Sequence, residues 1–196
     1  TTGIWSGGVG SFNPSNSVLT ATYTANASEI AVGFVKLVLT STNNGNCNSV
    51  TDTVKITFTP SPLVDAGLNL SYCKNNPATA LSGTITGGSS TGIWSGGTGT
   101  FAPSSAALNA TYTPSASELL AGSVNLILTS TGNGTCNQVT DNVLIVYTSA
   151  PSVNAGLDLS SCKNNSTTTL SGAISGITTT GIWSGGVGSF NPSNSV

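Results

Sequence analysis

The sequence predicts an all-β fold of tandem sandwich modules, and three observations carry that reading. The motif Thr-Gly-Ile-Trp-Ser-Gly-Gly stands three times, around Trp5, Trp94 and Trp183, at a constant step of 89 residues. Internal self-similarity at a fixed step is the signature of a repeat architecture. Short runs of alternating apolar and polar residues, separated by Gly, Asn, Ser and Pro, read as strands and turns rather than helices. Within the middle step an early Cys73, a central Trp94 and a late Cys136 follow in that order.

Other landmarks keep the step of 89: Cys47 with Cys136, Cys73 with Cys162, Tyr23 with Tyr112, Glu29 with Glu118 and Asp52 with Asp141. Residues 1–18 and 179–196 are the same eighteen letters. This duplication predicts a window on a longer array, with both terminal modules incomplete. The proline-bearing stretches Thr59-Pro60-Ser61-Pro62 and Ser149-Ala150-Pro151 mark the expected boundaries, since proline cannot donate to a sheet ladder and favours extended chain. The expected organisation is residues 1–60 as the C-terminal part of a first repeat, 61–149 as a complete repeat, and 150–196 as the N-terminal part of a third.

Within 61–149 strands are expected near 63–72, 79–86, 91–95, 107–113, 123–130 and 138–147. Val124, Leu126 and Leu128 alternate with Asn125, Ile127 and Thr129, and Val143, Ile145 and Tyr147 alternate with Asn142, Leu144 and Val146. A period of two sends one set to a packed face. One helical turn interrupts the strands, where Ser115 and Glu118 have capping-box spacing and Gly122 can end the turn. Glu29 holds the same place in the first module, so this acid reads as a cap rather than a catalyst. Gly96-Gly97-Thr98-Gly99 is followed by neither a helix nor Lys-Ser/Thr, so it reads as a turn or bulge after the Trp strand rather than a phosphate loop.

Composition excludes several functions. Charged residues make up 5% of the chain, with four Lys and no His, so no basic cluster exists to neutralise the phosphates of a nucleic acid. No apolar run approaches the length of about 20 residues that a membrane helix needs. The chain has no His, Arg or Met, and its acids Glu29, Asp52, Asp65, Glu118, Asp141 and Asp158 are scattered singly. Neither an activated nucleophile nor a calcium loop can be composed from that set, so no enzyme, cofactor or metal site is expected. Asp141 and Asp52 read as residues that tie down a turn or strand end by accepting backbone N–H groups. The polar surface must come from Ser, Thr, Asn and Gly, which stay hydrated across wide ranges of salt and pH. Alternating apolar residues and aromatics argue against disorder.

Two cysteines per repeat, without a metal spacing, point to disulfides in an oxidising compartment, with buried thiols as the plainer alternative. The Cys…Trp…Cys order is that of immunoglobulin-like sandwiches, which makes the expected fold class tandem immunoglobulin-like β-sandwich modules. It favours a Cys73–Cys136 bond, closing a loop of about 63 residues and worth about 4 kcal/mol. Cys47 and Cys162 would then pair outside the window, whereas a competing Cys47–Cys73 bond would staple neighbouring modules. Trp5, Trp94, Trp183, Tyr23 and Tyr112 are the expected core anchors.

The stretch Gly92 to Pro103, followed by Leu108 to Pro114, Ser117-Glu118 and Gly134-Thr135-Cys136-Asn137, resembles the Ig-like or PKD-like repeats of giant secreted surface proteins of Bacteroidota, the adhesins of the type IX secretion and gliding-associated class. The resemblance covers the whole chain. It implies an extracellular, cell-surface location and a spacer role, with adjacent repeats and other copies as partners. Asp52-Thr53-Val54 also fits the short O-glycosylation motif of that phylum, while the second copy reads Asp141-Asn142-Val143. Three functions follow in order of expectation: a structural repeat of a long extracellular stalk, surface adhesin or filament; a carbohydrate-binding module using Trp94 or the Gly-rich loop; and an ice- or mineral-binding surface, which needs a flat Thr ladder. Sparse charge leaves sheet edges with few Lys guards, so assembly between copies is also expected.

Overall fold

The computed structural model describes residues 2–195, which form two compact units, Thr1–Ser61 and Pro62–Val196. The first unit runs β1 (Thr2–Ser6), β2 (Ser11–Asn13), β3 (Thr22–Thr24), helix α1 (Ala27–Val32), β4 (Phe34–Thr42) and β5 (Thr51–Thr57). Its strands form an antiparallel sheet in the order β1-β4-β5 and a separate β2-β3 pair.

The second unit opens with β6 (Leu63–Asp65), β7 (Leu70–Cys73), β8 (Thr79–Ala80) and β9 (Thr84–Thr86). It continues with β10 (Thr91–Ser95), β11 (Thr100–Ala102), β12 (Thr111–Thr113), helix α2 (Ala116–Ala121), β13 (Ser123–Thr131) and β14 (Thr140–Thr148). Two short strands, β15 (Ser152–Asn154) and β16 (Ala173–Ser175), pair with each other beyond these.

Residues 62–149 make a two-layer sandwich. One layer is the four-stranded sheet β10-β13-β14-β7, and the other is built from β11-β12-β8 and the β6-β9 pair. Between them lies a core that includes Trp94, Tyr112, Leu126, Leu128, Val143 and Ile145, each 2% exposed or less. Alternation along β13 and β14 places this core: Val124, Leu126, Leu128, Val143, Ile145 and Tyr147 point inward, while Ile127, Leu144 and Val146 are exposed on the outer face.

Several elements differ from the sequence expectation. The strand expected over 79–86 divides into β8, which pairs with β12, and β9, which pairs with β6, and the strand expected over 107–113 is formed only at Thr111–Thr113. The single strand expected over 63–72 is broken, because the chain leaves one layer and joins the other. β6 pairs with β9, whereas β7 runs parallel to β14. Gly67 turns at φ 87°, a left-handed backbone that a side chain would strain, and the Asp65 carboxylate accepts its N–H at 2.8 Å. The strand β11, unmarked by any alternation long enough to read, pairs with β12 and brings Phe101 against the Tyr112 ring at 4.8 Å between centroids.

Candidate functional site

The repeated signature converges on one buried carboxylate. After β10 the chain turns through Gly96 and Gly97 at φ 79° and 72°, and a Cβ on Gly97 would overlap the Tyr112 hydroxyl. The turn therefore delivers two backbone N–H groups inward. Thr98 N–H donates to Glu118 Oε1 at 2.7 Å, and Gly99 N–H donates to the Tyr112 hydroxyl at 2.9 Å. The same hydroxyl donates to the Glu118 carboxylate, lying 2.8 Å from both oxygens.

Helix α2 supplies the acid, and its start is set by local chemistry. Ser115, in extended backbone, accepts the Glu118 N–H, while Glu118 Oε2 accepts the Ser115 N–H at 2.8 Å, a complete capping box. Gly122 ends the helix in the left-handed region, and its N–H donates to Glu118 O. The first unit builds the same arrangement from Glu29, Tyr23, Val9 and Gly10, with Asn26 as the cap.

The electrostatics follow from these contacts. Burial pushes the Tyr112 phenol up, and the adjacent Glu118 carboxylate adds to it, to about 12. Burial acts to raise the Glu118 carboxyl too, but donation from the Ser115 and Thr98 N–H groups and the Tyr112 and Ser115 hydroxyls outweighs it and holds the group below the usual carboxylate range. Such a carboxylate is an ionised acceptor with its oxygens engaged by the fold. It ties β12, the Gly-rich turn and α2 together and is a poor proton acceptor at neutral pH.

Trp94 is 2% exposed, its ring inside the core and its indole N–H donating to Leu108 O at 3.2 Å. No face of that ring is open for a sugar to stack upon. Trp5 and Trp183 are each half-buried. Tyr112 is fully buried, and its counterpart Tyr23 is half-buried.

Asp141 accepts the Ala66 N–H at 2.8 Å, and Asn69 Oδ1 accepts the Leu144 N–H at 2.9 Å. Together these pin the crossing from β6 to β7 onto β14. The sequence marked Asp141 as a strand tie, but its partner lies 75 residues away in the chain and left no local signal. The buried Ser130 was also missed: its hydroxyl accepts the Val139 N–H at 2.9 Å, across the loop that carries Cys136.

The cysteine pairing requires a correction. The structure contains no disulfide among the described residues. Cys73 lies opposite Thr148, at the end of β14, while Cys136 lies in the turn that precedes Thr140, at its start. At about 3.3 Å per residue that strand separates the two by roughly 25 Å or more, and a disulfide needs Cα atoms within about 7 Å. The Cys73–Cys136 bond is therefore not made. Cys47 and Cys162 are exposed, and the structure contains no Cys47–Cys73 bond either.

Among the described residues no three His, Cys, Asp or Glu side chains gather closely enough to hold a metal ion, and no helix is long and apolar enough to cross a membrane. A cavity of about 300 Å3, lined by Val153, Ile174, Ile182 and Trp183 among others, opens in residues 153–184. Val153, Ile174 and Trp183 stand one step of 89 after Val64, Ile85 and Trp94, which are buried in the core of 62–149.

No family model and no curated protein matches the chain. Among solved structures, mouse cadherin-23 EC22-24 is similar at 12% identity over 76% of this chain and 54% of that one, with a TM-score of 0.38. The insect immune protein hemolin gives 10% identity over 63% of this chain and 30% of its own, with a TM-score of 0.34. Chicken VE-cadherin EC1-2 gives 13% identity over 74% and 83%, with a TM-score of 0.32. The chain thus spans about a third to a half of the length of the first two. The likeness is distant, and the fold is defined by the sheets themselves: an all-β, two-layer sandwich.

Proposed function

We propose that the chain is a non-catalytic structural segment of a long extracellular stalk, surface adhesin or filament, in which 89-residue sandwich modules follow one another and carry tension. The observation that carries this reading is the pairing of the first and last strands of the sheet. β7 runs parallel to β14 through Leu70–Ile145, Ser71–Val146, Tyr72–Tyr147 and Cys73–Thr148. When the two ends of a module are pulled apart, strands that are parallel neighbours slide along each other. All their hydrogen bonds are then loaded together instead of opening one by one.

The repeated chemistry supports the same reading. Trp94, Tyr112 and Glu118 are engaged by the core and by a turn, so what recurs is architecture rather than an exposed binding surface. The scarcity of charge and the abundance of Ser, Thr and Asn suit an extracellular medium, as in the giant secreted surface proteins of Bacteroidota that the sequence resembles. The partners in this reading are adjacent repeats of the same chain.

Single-molecule pulling on the two ends tests it. The expected trace contains one high-force event releasing about 30 nm, the contour of an 89-residue module at roughly 3.6 Å per residue. Val146→Pro, which removes a donor from the β7–β14 ladder, lowers that force. Rupture at the low force of an unzipping hairpin, or a glycan-array signal abolished by a substitution at Trp94, refutes the proposal.

A further inference from the structure

Asn is followed by Gly at two places in the chain, Asn44-Gly45 and Asn133-Gly134, one step of 89 apart. Such a step carries a reaction of its own. The backbone nitrogen of the second residue can attack the carboxamide carbon of the first, and glycine hinders that approach least because it has no Cβ. Both steps lie in corresponding loops, 43–50 between β4 and β5 and 132–139 between β13 and β14. Gly45 and Gly134 are exposed, turn at φ 61° and 59°, and have no heavy atom within 4 Å of where a Cβ would stand.

The reacting carboxamide is also the clasp of this loop. Asn133 Nδ2 donates to Ser130 O at 3.3 Å, as Asn44 Nδ2 does to Ser41 O at 3.2 Å. The main-chain carbonyl of Asn133 accepts the Cys136 N–H at 3.0 Å and closes a turn around the glycine. Beneath it, Ser130 N–H donates to Val139 O and the Ser130 hydroxyl accepts the Val139 N–H, each at 2.9 Å. Asn133 Oδ1 is buried and accepts no donor among the described residues. The loop therefore uses this side chain as a donor, in a place where an acceptor has nothing to accept.

We propose that Asn133-Gly134 is a self-modification site, at which deamidation replaces the clasping carboxamide by a carboxylate and opens the loop 132–139. The Gly134 nitrogen bonds to Asn133 Cγ and the Cγ–Nδ2 bond breaks. The proton from the Gly134 N–H leaves with Nδ2 as ammonia, and a five-membered succinimide remains. Water then adds to either of its two carbonyls, giving an aspartyl or an isoaspartyl residue at position 133. No oxidant or reductant takes part.

Each product undoes the clasp. A carboxylate cannot donate to Ser130 O, and its charge would occupy the buried Oδ1 position without a donor, a cost that the loop escapes by opening to water. The isoaspartyl product also takes the carbonyl that accepted the Cys136 N–H out of the main chain. This inference concerns the chemical ageing of a module and does not depend on the tension-bearing reading.

The folded 196-residue chain, incubated in mildly alkaline buffer and sampled over time, tests the site by ion exchange and peptide mapping. Residues 62–149 have four charged side chains, Asp65, Lys74, Glu118 and Asp141, so each new carboxylate is resolved as a separate species. Aspartyl and isoaspartyl forms at position 133 are expected to rise together, with ammonia released in step. Gly134→Ala, which sets a methyl group beside the attacking nitrogen, should lose that signal. Asn133→Asp stands in for the product: amide exchange at Ser130 and Val139 should quicken while the amides of Leu126 and Leu128 hold. Trp94 emission serves as the folding control in both variants. A folded chain that keeps its amide at position 133 while the denaturant-unfolded chain loses it overturns the site, because the fold then shields the step. An equal rate in Gly134→Ala overturns the assigned attack, and unchanged exchange at Val139 in Asn133→Asp overturns the clasp.

Discussion

Replacing Glu118 by Gln tests how much of the module's stability resides in the buried carboxylate. The side chain accepts Thr98 N–H at 2.7 Å, Ser115 N–H at 2.8 Å, the Tyr112 hydroxyl at 2.8 Å and the Ser115 hydroxyl at 3.1 Å. An amide keeps one accepting oxygen, so its NH2 group must face one of the two backbone donors. Charge-assisted bonds contribute about 1.5–3 kcal/mol each, and an unsatisfied buried donor costs about 1–3 kcal/mol. A net loss of about 2–4 kcal/mol is expected at pH 7. Urea unfolding read by the blue-shifted emission of buried Trp94 should show the midpoint falling by about 1–2 M for a slope near 2 kcal/mol/M.

The acid side gives a second readout. The folded Glu118 carboxyl lies below its usual range, whereas an unfolded Glu titrates near pH 4.3. Its stabilisation is therefore present above about pH 4.3 and lost as pH falls through the folded value. The gap between parent and Glu118→Gln should be full at pH 6–7 and narrow below about pH 4. A gap under about 0.5 kcal/mol at pH 7, or one unchanged in acid, refutes the role given to the carboxylate.

Further outcomes follow from the same geometry. Trp94→Ala should cost about 3–5 kcal/mol in calorimetry or urea, since the ring is buried and its space cannot collapse fully; a cost below 1 kcal/mol would mean an open Trp site. Tyr112, with its phenol raised to about 12 against about 10 unfolded, contributes stability that is whole below pH 10 and vanishes as pH rises through 12. Ultraviolet titration should find it the last tyrosine to ionise, together with unfolding. Asp141→Ala should loosen the β6–β7 crossing by about 1–3 kcal/mol, seen as faster amide exchange at Ala66 and Leu144 while the β10–β13 amides hold. Non-reducing peptide mapping should recover no Cys73–Cys136 fragment; its presence would contradict the separation of those residues along β14.

What the sequence carried was local or periodic. Alternation in 123–130 and 138–147 placed the inner faces of β13 and β14, and the capping-box spacing of Ser115 and Glu118 marked the helix. What it did not carry was long-range. Nothing near Asp65 says that the chain changes layers there, because that break is enforced by Asp141 on β14 accepting the Ala66 N–H and by Asn69 accepting the Leu144 N–H. Strand β11 is three residues long, too short for a period to show, and exists because Phe101 packs on Tyr112.

The cysteines separate the two kinds of information. Order along a chain, Cys then Trp then Cys, is compatible with either end of a sandwich, and spacing alone contains no distance. Only the parallel pairing of β7 with β14 sends Cys73 to the end opposite Cys136. The sequence by itself determined the repeated motif, the strand faces, the helix cap and the poverty of catalytic groups, since each depends on neighbours within a few residues. The tertiary structure decided which strands close the sheet, where Glu118 finds its donors and which apolar faces stay open. Those depend on contacts between residues tens of positions apart, which chain order does not encode.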